Sequence, residues 1–260
     1  DIPAVLETTD QVIYLEDGDM AVVTPGAFTI MNQGQLVSRP VRRIDWKGED
    51  VQKGCYDHFM IKEIHEEPRV IKNTLLEFEH PERALSHQRL AKHEEIHSIL
   101  MLACGTSYHA GLIGKYIIEE LTDIPVRVEL ASEVNHRDRV ARVSNALAIT
   151  QSGETADVLI AMRKLKERGS FLSVITNVRE SSASRLADET LYISAGPEVS
   201  VAATKSFIAQ LIALYKLALS YSALNSKIRE QMEIEMKLLP NQVQRILDND
   251  SQIAKCAKFL

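Results

Sequence analysis

The sequence predicts an α/β protein: a five-stranded parallel sheet with helices on both faces, preceded by antiparallel β-hairpins. Apolar stretches alternate with helical patterns over residues 98–224, as they do in parallel βαβ units. The first forty residues instead carry short β-prone stretches separated by turn signals such as Asp17-Gly18, which is typical of hairpins. The length of 260 residues suits one large domain or two ordinary ones.

Composition narrows the class of partner. Hydrophobic residues make up 45% and charged residues 25% of the chain, as in soluble globular proteins. The net charge of −6 and the absence of a basic cluster argue against nucleic acid or an anionic membrane as the partner. No apolar run reaches the ~18 residues of a membrane span. The chain does not begin with Met, so we expect it to be an internal piece of a longer protein.

Cysteine and histidine usage predicts neither a disulfide framework nor a metal site. The three cysteines, Cys55, Cys104 and Cys256, are odd in number, and their spacing fits no zinc motif. A reducing compartment is the simplest setting for such thiols. We therefore expect a cytoplasmic protein with no metal and no cofactor.

The N-terminal residues predict four short strands, at 11–15, 20–24, 28–31 and 35–38. A sheet this thin needs a partner for its apolar face, so residues 1–45 are assigned to part of a larger domain. Residues 46–88 are assigned to a linker and leading helices. In these, Pro68 is expected to end one helix before another covers 70–76, and a charged helix is expected over 80–95.

The main domain is assigned to residues 89–230. Its predicted strands lie at 98–103, 126–130, 146–149, 171–176 and 190–193. Helices are predicted over 108–121, 156–168 and 182–187, followed by a long apolar helix over 204–224 that is either core or interface. Residues 231–260 are assigned to helices that lead to a further domain; one is expected over 228–239, ended by Pro240, and another over 241–260.

The expected strand order is 2-1-3-4-5, the flavodoxin-like order. In that order strands 1 and 3 are neighbours and their helices leave on opposite faces. Ligands of open α/β sheets bind at this switch point. The hydroxyl-bearing loops Thr106-Ser107 and Thr150-Gln151-Ser152 follow these two strands. We therefore expect them to meet in one crevice.

The loop after the third strand has the chemistry of an anion site. Three hydroxyls, an amide and Gly153 stand between Ile149 and the helix that follows. A glycine allows close approach of the backbone, and a helix N-terminus presents free N–H groups and partial positive charge. The same residues would also serve as an ordinary helix cap. Convergence with Thr106-Ser107 favours a phosphate pocket.

The sequence gives weaker evidence for other kinds of functional site. A dinucleotide site would need G-x-G-x-x-G, whereas Gly105 stands alone before Thr106. Cys104 is either a nucleophile at a helix N-terminus or a small packed residue. Lys205 either faces a ligand or a carboxylate, or is a solvated lysine. Glu198 either handles a proton or a sugar hydroxyl, or is an exposed loop carboxylate.

The motifs Cys104-Gly105-Thr106-Ser107 and Gln151-Ser152-Gly153-Glu154-Thr155-Ala156-Asp157 resemble those of the SIS (sugar isomerase) domain family. Within it, the chain resembles the glutamine–fructose-6-phosphate aminotransferase family over about residues 11–239. Four further stretches carry this narrower resemblance: Tyr14-Leu15-Glu16-Asp17-Gly18-Asp19, Lys62-Glu63-Ile64 with Pro68 and Ile71-Lys72-Asn73-Thr74-Leu75, Glu129-Leu130-Ala131-Ser132-Glu133, and Val201-Ala202-Ala203-Thr204-Lys205.

The resemblance implies a reaction and a homodimer. Fructose 6-phosphate and glutamine would give glucosamine 6-phosphate and glutamate. Residues 1–45 would end a class II glutamine amidotransferase (glutaminase) domain, and 89–230 would be the first of two SIS subdomains. The residues it implies for phosphate are Ser107, Thr150, Gln151, Ser152 and Thr155. Those it implies for the sugar are Thr106, Val201 and Ala203, and further candidates are Cys104, Gly105, Glu198 and Lys205.

The family's catalytic residues lie outside this segment, so the resemblance implies that the segment alone binds sugar phosphate without turnover. The sequence departs from the family pattern at Thr150 and Ala203, where serine is usual. It also departs at His65 and Glu67, where tyrosine and glutamine are usual. The alternative function is a non-catalytic SIS module that senses a sugar phosphate. A stand-alone isomerase is disfavoured because no acid–base pair is evident.

Overall fold

The computed structural model describes residues 5–6, 8–44, 46, 48–79, 96–137 and 143–259. The chain divides into two compact units, Asp1–Gln52 and Lys53–Leu260. The division falls inside the stretch 46–88 that was assigned to the linker and leading helices. The helix expected over 80–95 lies outside the described residues.

The described part of the first unit is built from short antiparallel strands. These are β1 (Gln11–Val12), β2 (Asp19–Thr24), β3 (Ala27–Asn32), β4 (Gln35–Val37) and β5 (Arg42–Arg43), followed by a 3-10 helix at Gly48–Val51. Strands β2, β3 and β4 form a meander with hairpin pairing, as predicted, and β1 pairs with β5.

The predicted hairpin between 11–15 and 20–24 is wrong, because β1 pairs with β5 instead of β2. Polar contacts favour this distant pairing: Arg43 Nε donates to Asp10 Oδ2 at 2.7 Å, and Ile44 N donates to Asp10 O at 2.8 Å. The turn at Asp17-Gly18 does form. Asp19 stabilises it by accepting a hydrogen bond from Glu16 N at 2.8 Å. Strand β5 was not predicted, because its two consecutive arginines, Arg42 and Arg43, give no β signal.

The second unit contains the parallel sheet. Its elements in chain order are α1 (Phe59–Glu79), β6 (Ile99–Ala103), α2 (Gly105–Leu121), β7 (Val126–Leu130), α3 (Ala131–Asn135), β8 (Asn145–Ile149), α4 (Ala156–Glu167), β9 (Phe171–Thr176), α5 (Ser182–Leu186), β10 (Glu189–Tyr192), α6 (Lys205–Tyr221), α7 (Ser226–Leu247) and α8 (Asp250–Phe259). The strand order is β10-β9-β8-β6-β7 with every pair parallel. This is the predicted order 2-1-3-4-5. The short helix α3 was not predicted.

Two prolines do not end helices, contrary to expectation. Helix α1 continues through Pro68 and α7 continues through Pro240. A proline inside a helix removes one backbone hydrogen bond and costs about 3 kcal/mol or more. In α1 the cost is offset because residues on both sides of Pro68 are buried, among them Glu63, Val70 and Ile71. Tertiary burial therefore outweighs the local stop signal.

The core lies on both faces of the sheet. On one face Met101 and Ile149 belong to a cluster with Leu214 of α6, and on the other Leu100 packs with Met162 of α4. Helices α1, α6 and α7 share a third cluster. The long apolar helix α6 is therefore core. Among the described residues, no helix combines the length and apolarity that crossing a membrane would require.

A glycine brings α2 and α6 close together. A Cβ added to Gly114 of α2 would lie 2.8 Å from Leu214 Cδ1 of α6, closer than real contacts allow. The absence of a side chain at this position permits the two helices to approach. Towards the first turn of α2, where the candidate site begins, Ser107 contacts Gln210 in the second turn of α6.

Candidate functional site

The two predicted loops leave the sheet side by side. Strands β6 and β8 are paired in register, with Ala103 opposite Ile149. Neighbouring strands are about 4.8 Å apart, so Cys104 and Thr150 begin their loops next to each other at the carboxyl edge. Helix α2 follows the first loop and α4 the second. The switch-point crevice expected from the sequence is therefore present.

Both helices at this crevice begin without a side-chain cap. Neither Cys104, which precedes α2, nor Thr155, which precedes α4, makes a capping side-chain hydrogen bond. By contrast, Asn225 caps α7 and Ser181 caps α5. The first-turn N–H groups of α2 and α4, which have no intrahelical acceptor, thus remain available beside each other. Two positive helix ends in one crevice favour an anion.

The loop between β8 and α4 is organised by its own hydroxyls. Thr150 Oγ1 accepts a hydrogen bond from Gly153 N at 3.2 Å and lies 3.1 Å from Thr155 Oγ1. Ser152 Oγ accepts from Glu154 N at 3.1 Å. Thr150 is only 2% exposed and lies beneath the loop. Gln151, Ser152 and Thr155 are partly exposed, so their side chains can reach a ligand.

Neighbouring elements hold this loop on two sides. Thr150 N donates to Ile175 O of β9 at 3.0 Å, and Asn177 N donates to Gln151 O at 3.1 Å. On the α5 side, Ala183 N donates to Gly153 O at 2.9 Å. The loop is therefore fixed by backbone bonds before any ligand arrives.

The loop between β6 and α2 presents a smaller set of groups. Gly105 and Thr106 are exposed, and Ser107 is partly buried. Ser107 Oγ accepts a hydrogen bond from Gln210 Nε2 of α6 at 2.9 Å. Cys104 is partly buried against the apolar cluster of the α4 face, in agreement with the interpretation of a small packed residue.

Glu198 is a helix cap. Its Oε1 accepts hydrogen bonds from Thr204 N at 3.0 Å and from Ser206 N at 3.1 Å, and its Oε2 accepts one from the Ser206 hydroxyl. It is partly buried, so it is not the exposed loop carboxylate considered above. Its position fixes the start of α6.

Lys205 is not a solvated lysine. The residue is 1% exposed, and its Nζ lies 2.5 Å from Glu66 Oε2 of α1. Of the alternatives for this lysine, the structure supports the one in which it faces a carboxylate. The ion pair joins the first residue of α6 to α1.

A second glutamate of α1 holds the loop that precedes α6. Glu63 is 2% exposed. Its Oε1 accepts from Val199 N at 2.7 Å and from Ser200 N at 3.1 Å, and its Oε2 accepts from the Ser200 hydroxyl. The next residue, Val201, is fully exposed, and Ala203 is partly exposed. The loop predicted to line the sugar is thus anchored by a buried carboxylate.

Three residues that support these loops were not predicted from the sequence: Glu63, Glu66 and Gln210. Each is far along the chain from the residue it holds. Of these three residues, only Gln210 could have been noticed in the sequence, since it is a polar residue inside an otherwise apolar helical pattern. For metal ions, the residues that the structure describes bring no three His, Cys, Asp or Glu side chains together.

The pKa of Glu67 is raised above its ordinary value of 4.5, chiefly because the carboxyl group is half-buried and secondly because the Glu198 carboxylate is near. The Glu67 carboxylate therefore repels the Glu198 carboxylate that caps α6. This repulsion is present only when both carboxyl groups are ionised.

Comparison with known proteins agrees with this geometry. A model of the SIS domain family matches residues 94–220. The C-terminal domain of glucosamine-fructose-6-phosphate aminotransferase from Francisella tularensis has a TM-score of 0.74 at 36% identity, over 80% of this chain and 60% of that one. A tagatose-6-phosphate ketose/aldose isomerase from Escherichia coli shares the fold, with a TM-score of 0.61 at 14% identity over 75% of this chain and 54% of that one. Residues 94–220 of the chain therefore form a SIS domain.

Within that family, its curated relatives include glutamine–fructose-6-phosphate aminotransferases (isomerizing). The one from Clostridium tetani is 40% identical over 267 residues, 99% of this chain and 44% of the relative. The one from Aquifex aeolicus is 40% identical over 260 residues, 99% of this chain and 43% of the relative. The chain therefore spans less than half the length of these relatives.

Gly153 gives a first test of the loop. Its φ is +71°, and an added Cβ would lie 2.1 Å from Ser181 Oγ. We predict that Gly153→Ala lowers the free energy of unfolding by about 2–4 kcal/mol, the sum of left-handed strain and overpacking. The matched control is Gly169→Ala, because Gly169 has φ +80° with nothing within 4 Å of the added Cβ. Urea unfolding measures the loss of stability in each variant, as the shift of the midpoint when the slope m is unchanged. Equal losses in the two variants would contradict the steric account.

Glu67 gives a second test through pH. Because its pKa is raised in the folded chain, the folded state holds this proton to a higher pH than the unfolded state does. The contribution of Glu67 to the stability of the native chain therefore falls as the pH rises above about 4.5. We predict that Glu67→Gln is more stable than native at pH 7.5 and that the difference shrinks towards zero at pH 4. Thermal unfolding across this range measures it, with Glu230→Gln as a charge control. A difference independent of pH would refute the explanation.

Proposed function

We propose that the SIS domain, residues 94–220, binds the phosphate group of a sugar phosphate in the crevice between α2 and α4. The observation that carries this proposal is the pair of uncapped helix N-termini on the adjacent strands β6 and β8. A phosphate oxygen accepts hydrogen bonds from backbone N–H groups and hydroxyls alike, and its negative charge is stabilised by both helix dipoles. No lysine or arginine is needed.

The phosphate-binding residues of this proposal divide by position. Ser107 donates from the first turn of α2. Gln151, Ser152 and Thr155 donate from the partly exposed face of the opposite loop. Thr150 contributes from below, through the hydrogen bond it shares with Thr155. In this proposal the donors lie on two sides of one anion.

The sugar would extend from the phosphate towards the loop before α6. Val201 and Ala203 lie on that loop, and Thr106 lies at the exposed start of α2. Cys104 and Gly105 complete the floor of the crevice. In this proposal Glu198 and Lys205 act on the sugar indirectly, because their polar groups are engaged in the cap of α6 and in the Glu66 ion pair.

Fructose 6-phosphate and glucosamine 6-phosphate are the ligands we propose. The support is the name of the relatives, which are about 40% identical over 99% of this chain. We propose that the chain is a segment of such an aminotransferase, in which fructose 6-phosphate and glutamine give glucosamine 6-phosphate and glutamate. Binding, rather than turnover, is the activity proposed for this segment.

Three further features belong to the same proposal. The hairpins of the first unit would be the end of a glutamine amidotransferase domain, in agreement with the resemblance of their turn sequences. The protein would act as a homodimer in the cytoplasm. The three cysteines, all of which are free thiols, accord with a reducing compartment.

Calorimetry with fructose 6-phosphate tests the proposed site. We expect the native chain to bind with micromolar affinity and Ser152→Ala to bind about tenfold to hundredfold more weakly, because one hydrogen bond to a charged group is lost. Ser220→Ala is the matched control, since Ser220 is an exposed serine of α6 that donates to Leu217 O at 2.6 Å.

Two results would count against this site. The first is the absence of heat at millimolar fructose 6-phosphate. The second is equal binding of fructose without its phosphate, because the crevice is proposed to recognise the anion.

A further inference from the structure

One fully buried amide side chain reaches the proposed phosphate crevice. Gln210 of α6 is 1% exposed, and its Nε2 donates to Ser107 Oγ at 2.9 Å across 103 residues of sequence. Its neighbours on α6, Ala209, Ala213 and Leu214, are buried and apolar. A fully buried glutamine in this environment is unexpected unless its amide group makes a specific interaction.

Gln210 is not well explained as a stabilising residue. Within the described part of the chain, its Oε1 is buried without a hydrogen-bond partner. Burying an amide with part of its hydrogen-bonding capacity unmet is unfavourable. An apolar side chain of similar size would fill the same space without that cost. The contact with Ser107 is therefore the feature that sets glutamine apart from leucine here.

The direction of this hydrogen bond determines what Ser107 can do. A serine hydroxyl has one proton to donate and two lone pairs to accept with. Because Gln210 Nε2 occupies a lone pair of Ser107 Oγ, the serine proton is left to donate elsewhere. The partly exposed side of Ser107 is the side of the crevice.

The packing of the two helices makes this contact reproducible. Ser107 and Gly114 are seven residues apart and therefore lie on one face of α2, and Gln210 and Leu214 are four apart on one face of α6. The close approach at Gly114 and Leu214 thus continues along the same seam to Gln210 and Ser107. The rigid seam limits the rotamers of the amide.

We propose that Gln210 is a positioning residue, which holds the Ser107 hydroxyl with its proton directed at the phosphate of the bound sugar phosphate. This inference rests on the function proposed above. It adds a buried residue of α6 to a site otherwise formed by loops. The role of that residue is to donate the hydrogen bond that sets the direction of the Ser107 proton.

Two variants separate polarity from packing. In Gln210→Leu the donor is lost but Ser107 keeps its proton, so fructose 6-phosphate should bind about threefold to tenfold more weakly. In Gln210→Glu an ionised carboxylate accepts the Ser107 proton and turns it away from the ligand. That variant should bind at least about tenfold more weakly than native at pH 8, and more weakly than Gln210→Leu.

The pH profile adds a readout that packing alone would not change. Burial raises the pKa of a carboxyl group, and the carboxyl group introduced by Gln210→Glu, once protonated, can donate to Ser107 as the amide does. The ratio of dissociation constants, Gln210→Glu over native, should therefore fall as the pH is lowered from 8 to 5.5. Expressing the result as a ratio to native removes the titration of the ligand's own phosphate, which has a second pKa of about 6.

A double-mutant cycle with Ser107→Ala tests whether Gln210 acts through that hydroxyl. In the native background Ser107→Ala should weaken binding about tenfold or more. In the Gln210→Glu background the same substitution should have little effect, because the proton already points away. Ser152→Ala should weaken binding equally in both backgrounds.

Stability provides the control. Gln210→Leu should unfold at the same urea midpoint as native or a higher one, whereas Leu219→Ala, which alters a buried residue of α6 in another cluster, should lower the midpoint and leave binding unchanged. If native binds and both Gln210 variants bind as native does, the inference is overturned while the proposed site stands. It is also overturned if the Gln210 and Ser107 effects are additive. If native itself does not bind, the proposed function fails first.

Discussion

The parallel pairing of β6 with β8 decides what this molecule can bind. It sets Ala103 opposite Ile149, so that two loops and two helices start from neighbouring points of one sheet edge. Since α2 and α4 both begin without a side-chain cap, their unpaired N–H groups converge where a ligand can satisfy them. The remaining structure serves this arrangement: β9 and α5 hold one loop by backbone bonds, and α6 supports the other through Gln210.

Helix α1 supplies a second layer of organisation through its acidic residues. Glu63 holds the loop before α6, and Glu66 is paired with Lys205 at the start of that helix. Buried carboxylates are costly unless they are hydrogen-bonded, and here each accepts bonds from the segment it fixes. The same region contains Glu67, whose pKa is raised chiefly by burial and secondly by the nearby Glu198 carboxylate. The loop before α6 is thus held by charge, while the loops at the crevice between α2 and α4 are held mainly by hydroxyls and backbone.

The loops at the crevice could be predicted because their signals are local: a strand, a short polar loop with Gly153, then a helix. The strand order then followed from general rules of parallel sheets. Gln210 and Glu63 could not be predicted, because each contacts a residue more than one hundred positions away and side-chain contacts at that distance depend on packing. Pro68 shows the opposite case, in which a strong local signal is overridden by buried residues on both sides. The pairing of β1 with β5 likewise depends on contacts with Asp10 that no periodicity reveals.

The central claim is that both helix N-termini hold one phosphate. Backbone amide chemical shifts of the isotope-labelled chain, titrated with fructose 6-phosphate and separately with fructose, test it most directly. The account predicts that fructose 6-phosphate, but not fructose, produces large, saturable shifts of the first-turn amides of α2 (residues 106–108) and of α4 (residues 156–158), with a common dissociation constant. Shifts confined to one of the two helices, or equal shifts with fructose, would contradict it.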